Sequence, residues 1–92
     1  MSNQNYQYPL DANWTKTELL QVIAFYRAVE QAYEQGCVVA RFLAAYQDFK
    51  QIVPSKSEEK RIDREFTQAS GYSIYRAVQA AKNATRNQFQ MK

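Results

Sequence analysis

Histidine is absent from this 92-residue sequence, and cysteine occurs once, as Cys37. Without histidine the chain lacks the commonest acid–base catalyst near neutral pH and the commonest metal ligand. A single cysteine can build neither an internal disulfide nor a thiolate metal cluster, which suits a reducing compartment. The two glycines, Gly36 and Gly71, stand alone, so there is no glycine-rich phosphate loop and no dinucleotide fingerprint. Apolar runs are short, Val22 to Tyr26 being as long as any, against the roughly 20 residues needed to cross a bilayer. The opening stretch MSNQNYQYPL has neither the charged start nor the apolar middle of a secretory signal. These absences lead to the expectation of a soluble, cytoplasmic, non-enzymatic protein with no cofactor, no metal and no membrane contact.

What is present is apolar and aromatic. Hydrophobic residues make up 46% of the chain, enough for one core at this length, and seven tyrosines dominate an aromatic share of 14%. Tyrosine buries a large ring while its hydroxyl still needs water or a partner. The net charge of +3 is unevenly spread. Residues 1–66 carry eight Lys/Arg against nine Asp/Glu, whereas residues 67–92 carry Arg76, Lys82, Arg86 and Lys92 with no acid. The basic character therefore sits in the last quarter of the chain.

Helical periodicity organises the rest. Residues 1–13 are polar and non-periodic apart from Tyr6, Tyr8 and Leu10, and read as an N-terminal arm, with Pro9 holding Tyr8 extended. Thr15 and Glu18 have capping-box spacing, and Trp14 before them is placed to staple onto Leu19. Leu19, Val22, Ile23, Tyr26, Val29 and Tyr33 then recur on one face, widened by Phe25 and Ala32, until Gly36 ends a helix of about 15–35. Val39, Phe42, Leu43, Tyr46, Phe49 and Val53 line a second helix, about 38–53, stopped by Pro54. Ser55 and Glu58 repeat the capping spacing for a third, about 57–70, whose stripe is thin: Ile62, Phe66 and Ala69. Glu58–Arg61 and Lys60–Asp63 are placed to pair along it. Gly71 turns, Ser73 caps, and Ile74, Ala77, Val78 and Ala81 line a fourth helix, about 73–85. No stretch alternates with period two. The spacing predicts an all-α fold, a compact bundle of three to four helices over residues 14–86, with 87–92 as a frayed tail.

The segments YPLDANWT, VIAFYRAVEQAYE, FKQIVPSKSEEK and YSIYR, in that order, resemble the YktA-like uncharacterised protein family of Firmicutes. The resemblance spans roughly residues 6–82. No one segment is diagnostic, but the four in order are specific. It implies a small all-helical cytoplasmic protein of a Gram-positive bacterium, and it brings no activity, catalytic residue or binding residue with it. Where members of that family often carry proline, this chain has Ile74; the departure touches only the first turn of the last helix, where proline is tolerated.

Among groups that could carry chemistry, Glu30 and Glu34 stand one helical turn apart, but the Glu-x-x-His pairs of a di-iron bundle are missing. Glu30 falls inside the apolar arc of the first helix. The expectation is a half-buried carboxylate held in an architectural ion pair with Arg41 or Arg76; the alternative is a cleft carboxyl of raised pKa. Cys37 lies at a helix junction, where a thiol can be acidified, yet no base or second thiol accompanies it, and a small buried hydrophobe is expected.

Binding is the remaining class. Tyr75, Gln79, Lys82 and Arg86 form an outward stripe on the fourth helix, with Arg76 beside it, suited to placing cations on phosphates and a ring on a base. TQASGYSIYRAV has the outline of a helix-turn-helix, although Ser70 occupies the usually apolar position before the turn. Tyr6, Tyr8, Trp14, Tyr72 and Tyr75 are amphipathic rings of the kind enriched at protein interfaces, or else an arm folded back over the 70–75 turn. A partner protein, or a second copy of the chain, is the expected partner through Trp14, Tyr72, Tyr75, Arg76, Gln79, Lys82 and Arg86; nucleic acid on the basic last helix is the alternative.

Overall fold

The computed structural model describes residues 7–91. Within them the chain is an all-α bundle of four helices: α1, Lys16–Glu34; α2, Val39–Ile52; α3, Lys56–Ser70; and α4, Ile74–Asn83. Each start is chemically marked. Thr15 and Glu18 form the complete capping box, the Thr15 amide donating to Glu18 Oε1 at 2.9 Å and the Glu18 amide to Thr15 Oγ1 at 3.1 Å. Ser55 caps α3 by accepting the Glu58 amide, and Ser73 caps α4 by accepting the Arg76 amide. The stops are as plain. Gly36 has φ +100° just past α1, and Gly71 has φ +81° at the end of α3, both in the left-handed region that glycine enters without strain.

The core is a ladder of rings. Phe25 stacks on Phe49 at 4.8 Å and meets Phe42 and Tyr46, each at 5.6 Å, which joins α1 to α2. Tyr26 stacks on Phe66 at 5.1 Å, which joins α1 to α3. Ile74, Ala77, Val78 and Ala81, the predicted inner face of α4, are all buried. On α1 the predicted stripe is rotated: Phe25 and Ala32 lie at its centre, fully buried, while Leu19, Ile23 and Tyr33 sit at its half-exposed margin. The thin stripe of α3 is thinner still, because Ala69 is exposed and only Ile62 and Phe66 are buried.

Three expectations are corrected by the packing. The tail is not frayed: Gln88–Phe89 form a strand, β2, antiparallel to β1, Cys37–Val38, with Cys37 opposite Phe89 and Val38 opposite Gln88. Phe89 then meets Phe42 edge-on at 5.1 Å, and the Met91 amide donates to Ala32 O at 2.8 Å. Gly36 suits this return by its φ of +100° rather than by its size, since a Cβ there would stand in ordinary contact, 3.4 Å, with Phe89 O. The period-two signal was invisible because each strand is two residues long. The fourth helix ends at Asn83, not near 85, and Arg86 therefore lies in the bend leading to β2 rather than on a helical stripe. Finally, the described part of the arm packs on α1 and α3 rather than over the 70–75 turn. Tyr8 packs on Tyr26 at 5.2 Å and Phe66 at 6.2 Å, and the Tyr26 hydroxyl donates to Pro9 O at 2.6 Å. Tyr6 of the arm lies outside the described residues.

Candidate functional site

The exposed rings sort quickly once their neighbours are known. Tyr72 stacks almost parallel on Tyr33, 4.5 Å apart, and its hydroxyl donates to Glu34 at 2.8 Å. Burial, then the Glu34 carboxylate, push its phenol up to about 12. Trp14 is half-buried against the core. Tyr75 is different: it is 65% exposed, a large ring with no ring partner among the described residues.

Tyr75 projects from the first turn of α4, and that turn is held from outside its own helix. Asp63 of α3 accepts the Ile74 amide at 2.8 Å and the Tyr75 amide at 3.3 Å, placing a carboxylate on the positive end of α4. Asp63 is thus a cap for the next helix, not the partner of Lys60. The turn between is closed by Thr67, whose hydroxyl donates to Tyr72 O, and by Ser70, whose hydroxyl donates to Phe66 O and accepts the Tyr72 amide. The polar Ser70 that weakens the helix-turn-helix outline is therefore spent on backbone groups.

Beside Tyr75 a cavity of about 330 Å³ opens between α2, α3 and α4. Ile74 and Val78 make its floor, with Lys56, Lys60, Gln79 and Lys82 around it. A second depression, about 400 Å³, continues past Tyr46 and Lys82 to Leu43 and Lys50. The Lys82 ammonium sits 5.6 Å from the centre of the Tyr46 ring, a cation–π contact that positions it between the two. On the other side of Tyr75 lies a shallow depression lined by Lys60, Arg64 and Arg76. The trough is therefore continuous and basic. Its acids are both engaged internally: Glu59 accepts Lys50 at 2.7 Å and the Tyr46 hydroxyl at 2.9 Å, and Asp63 caps α4. Burial together with Glu59 pushes the Tyr46 phenol up to about 12, so it remains a donor.

Of the residues expected to bind a partner, Tyr75, Gln79, Lys82 and Arg76 come together around this trough. Trp14 and Tyr72 do not, being occupied by packing, and neither does Arg86. Lys56, Lys60 and Arg64 were not singled out from the sequence, although they recur every fourth residue. That spacing marks one face of α3, but only the packing of α3 against α4 turns the face towards Tyr75.

Glu30 also departs from expectation. Its described partner is neither Arg41 nor Arg76 but the Tyr8 hydroxyl, which donates to both carboxylate oxygens at 3.0 and 3.1 Å. Burial first, and the neighbouring Glu34 second, raise its carboxyl to about 7. The Tyr8 bonds dock the arm onto α1. Cys37 is 5% exposed, and burial drives its thiol upward despite the nearby Arg41. It behaves as a small core residue. Among the described residues no cluster of three or more acidic, cysteine or histidine side chains could hold a metal ion, and no helix is long and apolar enough to cross a membrane.

A different surface joins α1 and α2, where Leu20, 58% exposed, and Val38 flank a broad depression with Arg27 and Arg41 at its edge. It contains no ring and no acid.

Comparison with known proteins identifies a family to which no chemistry is assigned. The model of an uncharacterised protein family, UPF0223, matches residues 5–90. A UPF0223 protein of Lactiplantibacillus plantarum is 51% identical over 88 residues, which cover 96% of this chain and 91% of that protein. One from Streptococcus gordonii is 55% identical over 84 residues, 91% of each chain. One from Bacillus cytotoxicus is 54% identical over 78 residues, covering 85% of this chain and 88% of its own.

Proposed function

The chain belongs to the uncharacterised protein family UPF0223, and from that premise we propose that it is a non-enzymatic binding module of the cytoplasm, which docks a partner protein in the trough between α2, α3 and α4. One observation carries this reading: a tyrosine ring left 65% exposed at the lip of a cavity whose floor is apolar. Tyrosine is among the side chains that anchor interfaces, because it offers a large contact area with few rotatable bonds. The cavity gives such an anchor a place beside which an incoming aliphatic side chain can be desolvated. The turn that bears Tyr75 is pinned by Asp63, Thr67 and Ser73, so the ring is presented with little ordering cost on binding.

A second reading is favoured by the cations that surround the ring. Lys56, Lys60, Arg64, Arg76 and Lys82 make a basic face on which a single-stranded nucleic acid would find phosphate contacts and one stacking platform.

The test is capture of partners from host lysate by the tagged protein, with and without nuclease, in parallel with Tyr75→Ala. A protein retained after nuclease and lost with Tyr75→Ala is the expected result. Material that disappears with nuclease supports the second reading. A partner that Tyr75→Ala retains in full removes the trough from consideration.

A further inference from the structure

We infer that the segment received by the trough is acidic: a stretch of partner chain carrying carboxylates on either side of an apolar residue. The inference rests on the reading that the trough docks a partner protein, and it names the chemistry of what docks. The reasoning starts from charge that is left over. Lys56, Lys60, Arg64, Arg76 and Lys82 line the connected depressions, and none of them forms an ion pair with a described residue. The acids that line the same depressions are Glu59 and Asp63, and neither is available to neutralise these cations. Glu59 is bonded to Lys50 and Tyr46, and Asp63 is bonded to two backbone amides of α4. Moving either acid to a lysine would leave those groups without their acceptor. The field in the trough is therefore positive in the free protein, and a like-charged partner is rejected by it.

The arrangement is also partly preorganised. Lys82 is drawn over the Tyr46 ring, so its ammonium already stands between the two deeper depressions instead of ranging through solvent. Ile74 and Val78 provide an apolar floor directly beneath, which suits an aliphatic side chain and offers nothing to a phosphodiester. A single strand of nucleic acid gains most where successive bases stack on successive rings. Here one ring, Tyr75, is free, and a face of Tyr46 is occupied by Lys82. A peptide with carboxylates flanking one apolar residue satisfies the cations and the floor together.

The experiment is an amide-resolved NMR titration of the full chain with two probes in separate arms, poly-L-glutamate and a ten-residue oligodeoxythymidylate. Each is repeated with the double variant Lys60→Glu, Lys82→Gln, whose fold is checked by circular dichroism and by the dispersion of its amide spectrum. Both lysines are exposed, so the fold is expected to survive. The expected result is that poly-L-glutamate shifts the amides around Lys56, Lys60, Tyr75, Gln79 and Lys82, with binding at least tenfold weaker in the double variant and weaker again as salt rises. Shifts confined to the Arg27–Arg41 face, no shifts at all, or equal binding by the double variant overturn the inference. Tighter binding of the oligonucleotide at the same amides overturns it in favour of nucleic acid. Failure here is separable from failure of the docking reading: Tyr75→Ala tests the trough, while the lysine variant tests the charge of what enters it.

Discussion

Replacing Asp63 with alanine should destabilise the protein far more than its position on a solvated helix implies. Were Asp63 simply a surface partner of Lys60 at i, i+3, its loss would cost a few tenths of a kcal/mol. In the structure it accepts the Ile74 amide at 2.8 Å, on a residue that is 1% exposed, and the Tyr75 amide at 3.3 Å, on a residue that water reaches. The first bond is charge-assisted and its donor is poorly placed to find water, so losing it costs about 1.5–2 kcal/mol. The second is long and its donor can be resolvated, adding about 0.5 kcal/mol, and loss of a negative charge at the start of α4 adds a similar amount. The Thr67 hydroxyl, which lies 3.3 Å from Asp63 Oδ1, is not orphaned, because it also reaches Tyr72 O at 3.0 Å. The total is about 2.5–3 kcal/mol, read in urea as a midpoint lower by roughly 1–2 M at unchanged slope. Asp63→Asn keeps an acceptor and loses the charge, and should cost about 1 kcal/mol. Lys60→Ala, made alongside, should stay within about 0.5 kcal/mol of the parent. A cost for Asp63→Ala no greater than that of Lys60→Ala refutes the assignment of Asp63 as the cap of α4.

Three further perturbations probe other elements. Glu30 is raised to about 7 from an unfolded value of 4.5, so the folded protein keeps a proton that the unfolded chain releases; stability from this group is full below about 4.5 and is lost as pH rises through 7. The shift alone corresponds to about 3 kcal/mol, and half-exposure screens it to ~1 kcal/mol, which urea titrations at pH 5 and 8 can resolve and which Glu30→Gln should abolish. Ending the chain after Arg86 removes β2 and the Phe89 ring from Phe42, and should cost about 3 kcal/mol or more; a truncated chain as stable as the parent would return the tail to the frayed state. Cys37, buried and with its thiol raised, should react with an aromatic disulfide reagent at least ~100-fold more slowly in the native protein than in urea, and comparable rates would place it at the surface.

Much of the helical framework is local chemistry and is legible in the chain itself. The Thr15–Glu18 box, the Ser55 and Ser73 caps, and the stops at Gly36 and Gly71 act within a few residues, and each stands in the structure where the spacing puts it. The inner face of α4 is equally legible, because Ile74, Ala77, Val78 and Ala81 leave no competing face. On α1 the apolar arc is so wide that periodicity cannot choose its centre. That choice falls to Phe25, which α2 draws inward through Phe42, Tyr46 and Phe49.

What the sequence by itself determined, then, is where most helices begin and end, that apolar faces exist to be buried, and that histidine is absent and cysteine single. Only the tertiary structure decided which polar groups meet. Asp63 reaching the amides of α4, Tyr8 reaching Glu30, and β2 returning to β1 past Gly36 join residues 11, 22 and about 50 positions apart. Such meetings depend on how helices pack, and a single chain carries no periodic signal for them. The same reason hides the trough: Lys56, Lys60 and Arg64 on α3 and Tyr75, Gln79 and Lys82 on α4 are each visible as helical faces, but it is the docking of α3 and α4 on α2 that turns two faces into one basic cleft.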